Sequence, residues 1–376
     1  MRLSDIPVSE QVIEEFKLSL RTKNVPHANL LIGGQGSSQL PLALAVSRSI
    51  LCATPIEGVA CGNCASCKKV DKLAHPDLHF SYPLNSSTED GESKIGEWRE
   101  MVMENPYSDL SDWIGKLSAE NSVLNIHSKE CNRIERTLSL KSFEGRGKVL
   151  IVWLPEFLGK EGNKLLKIIE EPPKGTFIFL VSANETPILP TIVSRCRVYR
   201  IPNANIKQLA KWLGNHRGID EGEALNAAAL SEGIVNQALS NLGENQADID
   251  IEFLNWTRIA FRRNPMATIE FVEEFHKTGD KEKVRNLIRF GIFYFNQLIK
   301  NKYRGKIEGM DTEVTQSIEK LSKMLGIEDV EKITTLFEKF LYQVDRFANT
   351  KILLTQATIQ LGEVLRNSLS ENQIRA

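Results

Sequence analysis

Apolar positions along this chain follow two patterns. In the N-terminal part, short runs of β-branched and large apolar residues, Val149 to Trp153, Thr176 to Val181 and Val198 to Ile201, alternate with a helical segment that carries Leu165, Leu166, Ile168 and Ile169 on one side. Runs of that kind predict parallel strands buried on both faces, the core of an α/β fold. Before them, Val12, Phe16 and Leu20 recur at helical spacing, with Ser9 as N-cap and Asn24 to Pro26 as the stop. A strand over Asn29 to Ile32 leads through a glycine-rich turn into a helix through Ala45. His75-Pro76-Asp77 turns into a strand over Leu78 to Tyr82. A helix over Asn125 to Leu140, with Ile134 and Leu138 inward, precedes the turn Gly145 to Gly147.

After Ile201 the pattern is helical only. Leu209, Trp212 and Leu213, then Ala224 to Leu230, predict a small helical segment, and Gly243 to Asp250 reads as a linker. Beyond it, Ile251 to Arg263, Met266 to His276, Val284 to Lys302, Val314 to Leu325, Val330 to Phe347 and Ile352 to Leu369 show three- and four-residue apolar spacing. They predict a helical bundle burying Phe290, Phe293, Phe295 and Leu298. In open parallel sheets ligand chemistry gathers at the carboxyl edge, which directs attention to the loops after Trp153, Val181 and Ile192.

Between Asn85 and Val123 the chain is polar and rich in Ser, Glu and Asp, with Trp98, Tyr107 and Trp113 scattered through it. It reads as an inserted loop with one or two short helices. Either its aromatics pack it onto the body or they form a partner site.

With 376 residues, 41% of them hydrophobic and 25% charged, the chain can bury a sizeable core split over two or three domains. No apolar stretch approaches the roughly 20 residues of a membrane span, and Met1 to Glu10 lacks the character of a secretory signal, so a cytoplasmic location without membrane partners is expected. A net charge of -1 argues against holding nucleic acid alone through a large basic surface; any such contact is expected to be shared with partners.

Four of the six cysteines, Cys52, Cys61, Cys64 and Cys67, crowd into the pattern C-x8-C-x2-C-x2-C. Without a secretory signal, such clustering points to metal rather than disulfides, and Gly62 and Asn63 supply the turn a zinc knuckle needs. The bacterial ferredoxin run begins the same way, but the fourth cysteine with its following proline is missing. A structural zinc module over Cys52 to Cys67 is the expectation, with four thiolates leaving no open position for catalysis. His75 and His79 are the alternative ligands nearby, though a turn is the expected role of the first.

The turn Gly33-Gly34-Gln35-Gly36-Ser37-Ser38-Gln39-Leu40 sits between a strand and a helix, the setting of a phosphate-binding P-loop. In the G-x-x-x-x-G-K-[ST] register from Gly33, however, Ser38 replaces the second glycine, Gln39 the lysine and Leu40 the magnesium-binding hydroxyl. Little affinity for Mg-ATP is expected to remain. The strand after it that normally ends in an acidic pair ends in Trp153 and Leu154, neither able to bind a cation or accept a proton. Glu156 nearby reads as a solvated glutamate opening a helix.

Pro26-His27-Ala28, the four-cysteine insertion, Glu170-Glu171-Pro172-Pro173 and Leu189-Pro190-Thr191-Ile192-Val193-Ser194-Arg195-Cys196 together resemble the bacterial clamp-loader family of DNA polymerase III, over most of Met1 to about Leu242. Within it the resemblance is to a non-motor subunit rather than to the gamma/tau motor. It implies an AAA+ P-loop-type parallel sheet over residues 1–202, carrying the zinc module and the insertion, a small helical lid over 203–245 and a C-terminal all-α oligomerisation collar over 246–376. It also implies partners: the gamma/tau and delta subunits, the sliding clamp weakly or indirectly, and primed DNA through the assembled complex. No intrinsic activity and no bound ATP are expected; an active gamma/tau-like ATPase with an atypical site is the alternative.

The family places the arginine of Ser-Arg-Cys in the ATP site of the neighbouring subunit, so the resemblance makes Arg195 an arginine finger in trans, positioned by Ser194 and Cys196. On the residues alone, Arg195 capping the preceding turn or pairing with an acid stands beside that role. Arg195 and Arg197 flank Cys196, which is expected to lower its thiol pKa, although no base for a nucleophile is identifiable. The resemblance further puts a polar γ-phosphate sensor at Asn184. It puts Asn236 and Gln237 of Ser231 to Leu239 where a lid arginine normally stands.

Overall fold

The computed structural model describes residues 1–119, 123–242, 246–278, 281–304, 312–345 and 349–374. The chain forms two compact units, Met1–Ser240 and Asn241–Ala376.

In the first unit, β1 (Ala28–Ile32), β2 (Leu78–Ser81), β3 (Lys148–Trp153), β4 (Thr176–Ser182) and β5 (Arg197–Arg200) form one sheet in the order β2-β3-β4-β1-β5. Every pairing is parallel. Alternate side chains enter separate cores: Val149, Ile151, Phe179 and Val181 on one face, Leu150, Val152, Ile178 and Leu180 on the other. A strand with both faces covered reads as a continuous apolar run, which is why β3 and β4 were visible in the sequence. β5 departs from the expected burial on both faces: Tyr199 is buried, but Arg197 and Arg200 are exposed.

Around the sheet lie α1 (Glu10–Arg21), α2 (Gln39–Leu51), the short α3 (Ala65–Asp71), α4 (Ile95–Glu104), α5 (Leu110–Lys116) and α6 (Ser128–Ser139). Ser9 stands at the N-cap of α1 but its side chain makes no capping bond. Between β3 and β4 the expected helix is short. A 3-10 stretch over Pro155–Leu165, broken at Gly159 (φ 48°, ψ -134°), precedes α7 (Leu166–Glu170). After α8 (Pro190–Val193) and β5 come α9 (Ile206–Arg217), α10 (Glu221–Leu230) and α11 (Val235–Ser240), all within the first unit.

The second unit is helical: α12 (Gln246–Arg262), α13 (Pro265–Thr278), α14 (Lys281–Arg304), α15 (Thr312–Ser322), α16 (Ile327–Asp345) and α17 (Thr350–Ile374). Phe290, Phe293, Phe295 and Leu298 are buried as the spacing predicts, around Phe253 and Trp256. The Trp256 indole N–H donates to Thr358 at 2.7 Å, so the polar edge of this ring is satisfied inside the core.

Two boundaries differ from expectation. Of the linker read over Gly243 to Asp250, residues 243–245 lie outside the described residues, and Gln246 to Asp250 are already helical. Ile249, Phe253, Trp256 and Ala260 are buried at helical spacing, and this stripe carries α12 back into the supposed linker. The helix end expected at Phe347 also lies outside the described residues. Among the described residues no helix is long and apolar enough to cross a membrane.

Candidate functional site

The glycine-rich turn leads from β1 into α2 at the carboxyl edge of the sheet, and its own residues close it. Gln39, in the lysine position, folds back so that its Nε2 donates to the Gly34 carbonyl at 2.7 Å. Ser38 donates to the Pro7 carbonyl at 3.0 Å, and Ser37 to Asn203 Oδ1 at 3.0 Å. Leu40, in the magnesium-ligand position, is buried in the core. The cavity between Gln35 to Leu40, Trp153, Leu154 and Ser108 to Leu110 measures only about 20 Å³. That is room for about one water, against the roughly 300 Å³ or more of ordinary ligand pockets.

At the end of β3, Trp153 lies against Trp98, ring centroids 5.0 Å apart, and Leu154 turns the chain out of the sheet in the left-handed region (φ 56°, ψ 58°). Glu156 is not the solvated residue expected. Its carboxylate accepts from the Ser182 hydroxyl at 2.8 Å and the Ala183 N–H at 3.3 Å, and burial raises its pKa. The fold brings the end of β4 over it, which sequence distance concealed.

The remaining predicted residues are placed as follows. Asn184 is exposed, and its Oδ1 accepts the Thr186 N–H at 3.0 Å, closing an Asx turn. Asn236 is buried at the start of α11. Its N–H donates to the Gly36 carbonyl at 2.9 Å, its Oδ1 accepts from Asn105 Nδ2 at 2.6 Å, and its Nδ2 donates to Asp112 Oδ2 at 3.0 Å. Gln237 is half-buried beside it.

Arg195 stands one residue past the C-cap of α8. Its Nε donates to Glu170 Oε2 at 2.8 Å and its Nη1 to the Thr191 carbonyl at 3.0 Å, with about a third of the side chain exposed. Both local roles read from the residues, capping the turn and pairing with an acid, are thus present in the resting side chain. Ser194 donates to the Thr191 carbonyl at 3.2 Å. Cys196 corrects an expectation: burial pushes its thiol up to about 12 rather than down. Desolvation of the thiolate decides.

The four cysteines converge as their spacing predicts. All four Sγ atoms lie within 4.8 Å of one another, with Cys52 to Cys61 at 3.5 Å and Cys52 to Cys64 at 3.9 Å. A tetrahedral zinc with thiolate bonds of about 2.3 Å has sulfurs roughly 3.8 Å apart, so this set fits the ion. Backbone amides point at sulfur, among them Cys61 N–H to Cys52 at 3.3 Å and Cys67 N–H to Cys64 at 3.4 Å. Hydrogen bonds from the Thr54 hydroxyl and the Asn63 and Cys64 amides bring the Cys61 thiol down to about 5, and burial drives Cys67 up to about 12.

Among the described residues the candidate metal cluster comprises the four cysteines and neither histidine. His75 Nε2 lies 3.1 Å from Glu144, which also accepts from Ser66 and Lys69, both at 2.7 Å. His79 sits in β2, its pKa lowered to about 4 by burial. Arg48 reaches from α2 to the Gly62 carbonyl at 3.2 Å and to Asp71 at 2.7 Å.

The sequence reading missed the polar residues of the insertion. Trp98 and Trp113 are fully buried and Tyr107 nearly so, which is the packing alternative for that stretch; residues 120–122 lie outside the described residues. Asn105, Ser108, Asp109 and Asp112 reach the glycine-rich turn or the helix beside it. The available signal was Asp109-Leu-Ser-Asp112, an acidic N-cap with its reciprocal partner three residues on, which the structure realises as a capping box.

Residues 8–205 match the family described as DNA polymerase III, delta subunit. A DNA polymerase III subunit delta' of Haemophilus influenzae is 23% identical over 317 residues, covering 84% of this chain and 83% of that one. The subunit delta' of Escherichia coli is 25% identical over 230 residues, covering 60% of this chain and 58% of that one. Among solved structures, a gamma subunit-related protein of Thermotoga maritima aligns with 94% of this chain and 99% of its own at 14% identity and a TM-score of 0.40.

Proposed function

As the chain belongs to the DNA polymerase III delta-subunit family, with relatives of delta' type, we propose that it is a non-catalytic clamp-loader subunit that supports ATP-dependent loading of the sliding clamp on primed DNA without hydrolysing ATP itself. The carrying observation is the closed turn: a cavity of about 20 Å³ lined by Gln39, Leu40, Trp153 and Leu154, with no cation or carboxylate at the positions that need them. Phosphoryl transfer is positioning and charge stabilisation, and this pocket supplies neither. The gamma/tau and delta subunits are its proposed partners, with DNA and the clamp engaged through the assembled complex. The second unit is the proposed collar. A structural zinc at Cys52, Cys61, Cys64 and Cys67 completes the reading.

Arg195 is the proposed arginine finger. Its resting contacts are an exposed ion pair and a turn carbonyl, contacts worth about 0–1 kcal/mol, so a neighbour's γ-phosphate can draw the guanidinium away. Arginine fingers are worth roughly 10³ to 10⁵ in rate at the site they serve. In the reconstituted complex, Arg195→Ala is expected to silence the one motor site facing this subunit while leaving assembly and the other sites intact. ATP turnover equal to wild type, in a complex that assembles normally, defeats the assignment.

A further inference from the structure

The insertion does more than pack. Its ends are pinned by Leu84 and Asn125, which exchange backbone bonds of 2.9 Å in both directions. Trp98 stacks on Tyr82 at 4.5 Å, and the Trp113 indole donates to the Pro83 carbonyl at 2.7 Å, so α4 and α5 are rooted in the sheet. From that base the segment between the two helices reaches the lid. Tyr107 meets Trp212 of α9 edge-on at 5.4 Å. Asn105 and Asp112 between them bond the oxygen and the nitrogen of the buried Asn236 amide. Asp112 is held for this: its Oδ2 also accepts the Asp109 N–H at 2.9 Å within the capping box of α5.

We propose that the insertion is a built-in latch, which covers the mouth of the degenerate phosphate-binding turn and holds α11 against that turn with no ligand present. The cover rests on the reading of the turn as degenerate; the grip on Asn236 does not. A buried amide that loses its partners bears the full desolvation penalty, so the two insertion side chains set how often the lid lifts. Gln208 and Trp212 tie α9 separately to the Val8 and Asp5 carbonyls, at 2.7 and 2.6 Å, so the effect is confined to α11 and the turn it covers.

Hydrogen exchange on the full chain tests this. In Asn105→Ala/Asp112→Ala, amides of Val235–Ser240 and of the Gly36 turn are expected to exchange about tenfold or more faster than wild type, while those of β4 keep their protection. Asp112→Asn keeps an acceptor for both Asn236 and the Asp109 N–H and is expected to stay near wild type. If the double variant folds poorly, Asn105→Ala alone at its half-buried position gives the same local change at a severalfold level. Unchanged exchange at α11, or acceleration spread equally through β4, overturns the latch, as does an Asp112→Asn protein as fast as the double variant. Tight binding of a fluorescent ATP analogue to wild type would instead sink the non-catalytic reading and leave the exchange result intact.

Discussion

The backbone N–H of Asn236 donates to the carbonyl of Gly36 at 2.9 Å, so the last helix of the first unit begins directly on the glycine-rich turn. The approach is close because position 36 has no side chain. A Cβ there would lie 2.5 Å from the Asn236 Cβ, and the residue already sits at φ +72°, where only glycine is at ease. In a nucleotide-binding turn a glycine clears space for phosphate; in this chain it clears space for an asparagine.

Gly36→Ala should therefore act on the seating of α11 and on stability together. Overpacking and left-handed strain each contribute, for an expected loss of about 1–3 kcal/mol. Urea unfolding of wild type and variant would measure it. An unchanged midpoint would mean that Asn236 is not held where it is found.

Restoring the two P-loop side chains should not restore nucleotide binding. In Gln39→Lys/Leu40→Thr the cation and hydroxyl return, but Trp153 and Leu154 still supply no carboxylate and the cavity remains at the scale of about 20 Å³. Leu40 is also buried, so the threonine hydroxyl enters an apolar core. Calorimetric titration with Mg-ATP is expected to show no binding below roughly millimolar concentrations, about 4 kcal/mol of affinity at most. Micromolar binding by the double variant would show that the two side chains alone had closed the site.

The middle of the sheet was legible because burial on both faces writes β3 and β4 as apolar runs: Val149 to Trp153 was read where Lys148–Trp153 is found. The cysteine cluster was legible because its ligands are local. What stayed hidden was long-range. Asn105 and Asn236 are 131 positions apart, and nothing in either neighbourhood announces that one amide satisfies the other. Cys196 misled for the complementary reason, since flanking arginines say nothing about which way a side chain faces, and burial set its pKa. The segment after β3 is a 3-10 stretch with a break at Gly159 before the short α7, a backbone choice that apolar spacing does not encode.

Removing one thiolate should empty the metal site. Cys61 is the ligand whose thiol is brought furthest down, to about 5, by the Thr54 hydroxyl and the Asn63 and Cys64 amides. Cys61→Ser is expected to copurify with no zinc where wild type carries about one ion per chain, measured by metal analysis of protein purified without chelator. Structural zinc contributes directly to folding, so the variant should also melt several degrees lower, while β-sheet circular dichroism persists. Full zinc content in the variant would show that three sulfurs and another donor suffice.

Glu144 gives the support of the cysteine cluster a defined pH window. Hydrogen bonds from Lys69 and Ser66 hold its carboxyl down at about 2 from an ordinary 4.5, with His75 adding to the same side, and Asp77 accepts its backbone N–H at 2.8 Å. A carboxylate whose pKa is depressed by folding binds more protons unfolded than folded. Its stabilisation is therefore fully present above the unfolded value and is lost as pH falls through the folded one. The unfolding free energies of wild type and Glu144→Gln should differ at pH 6, where the carboxylate is ionised in both the folded and the unfolded chain. The difference should shrink between about pH 4.5 and 2, at equal zinc and salt, because the glutamine cannot titrate. Comparing the two proteins at each pH cancels protonation of the cysteines, which both share. A gap that stays constant down to pH 2 would show that the Lys69 and Ser66 contacts favour the two protonation states equally, and that the carboxylate's charge does not help hold α3 to the loop before β3.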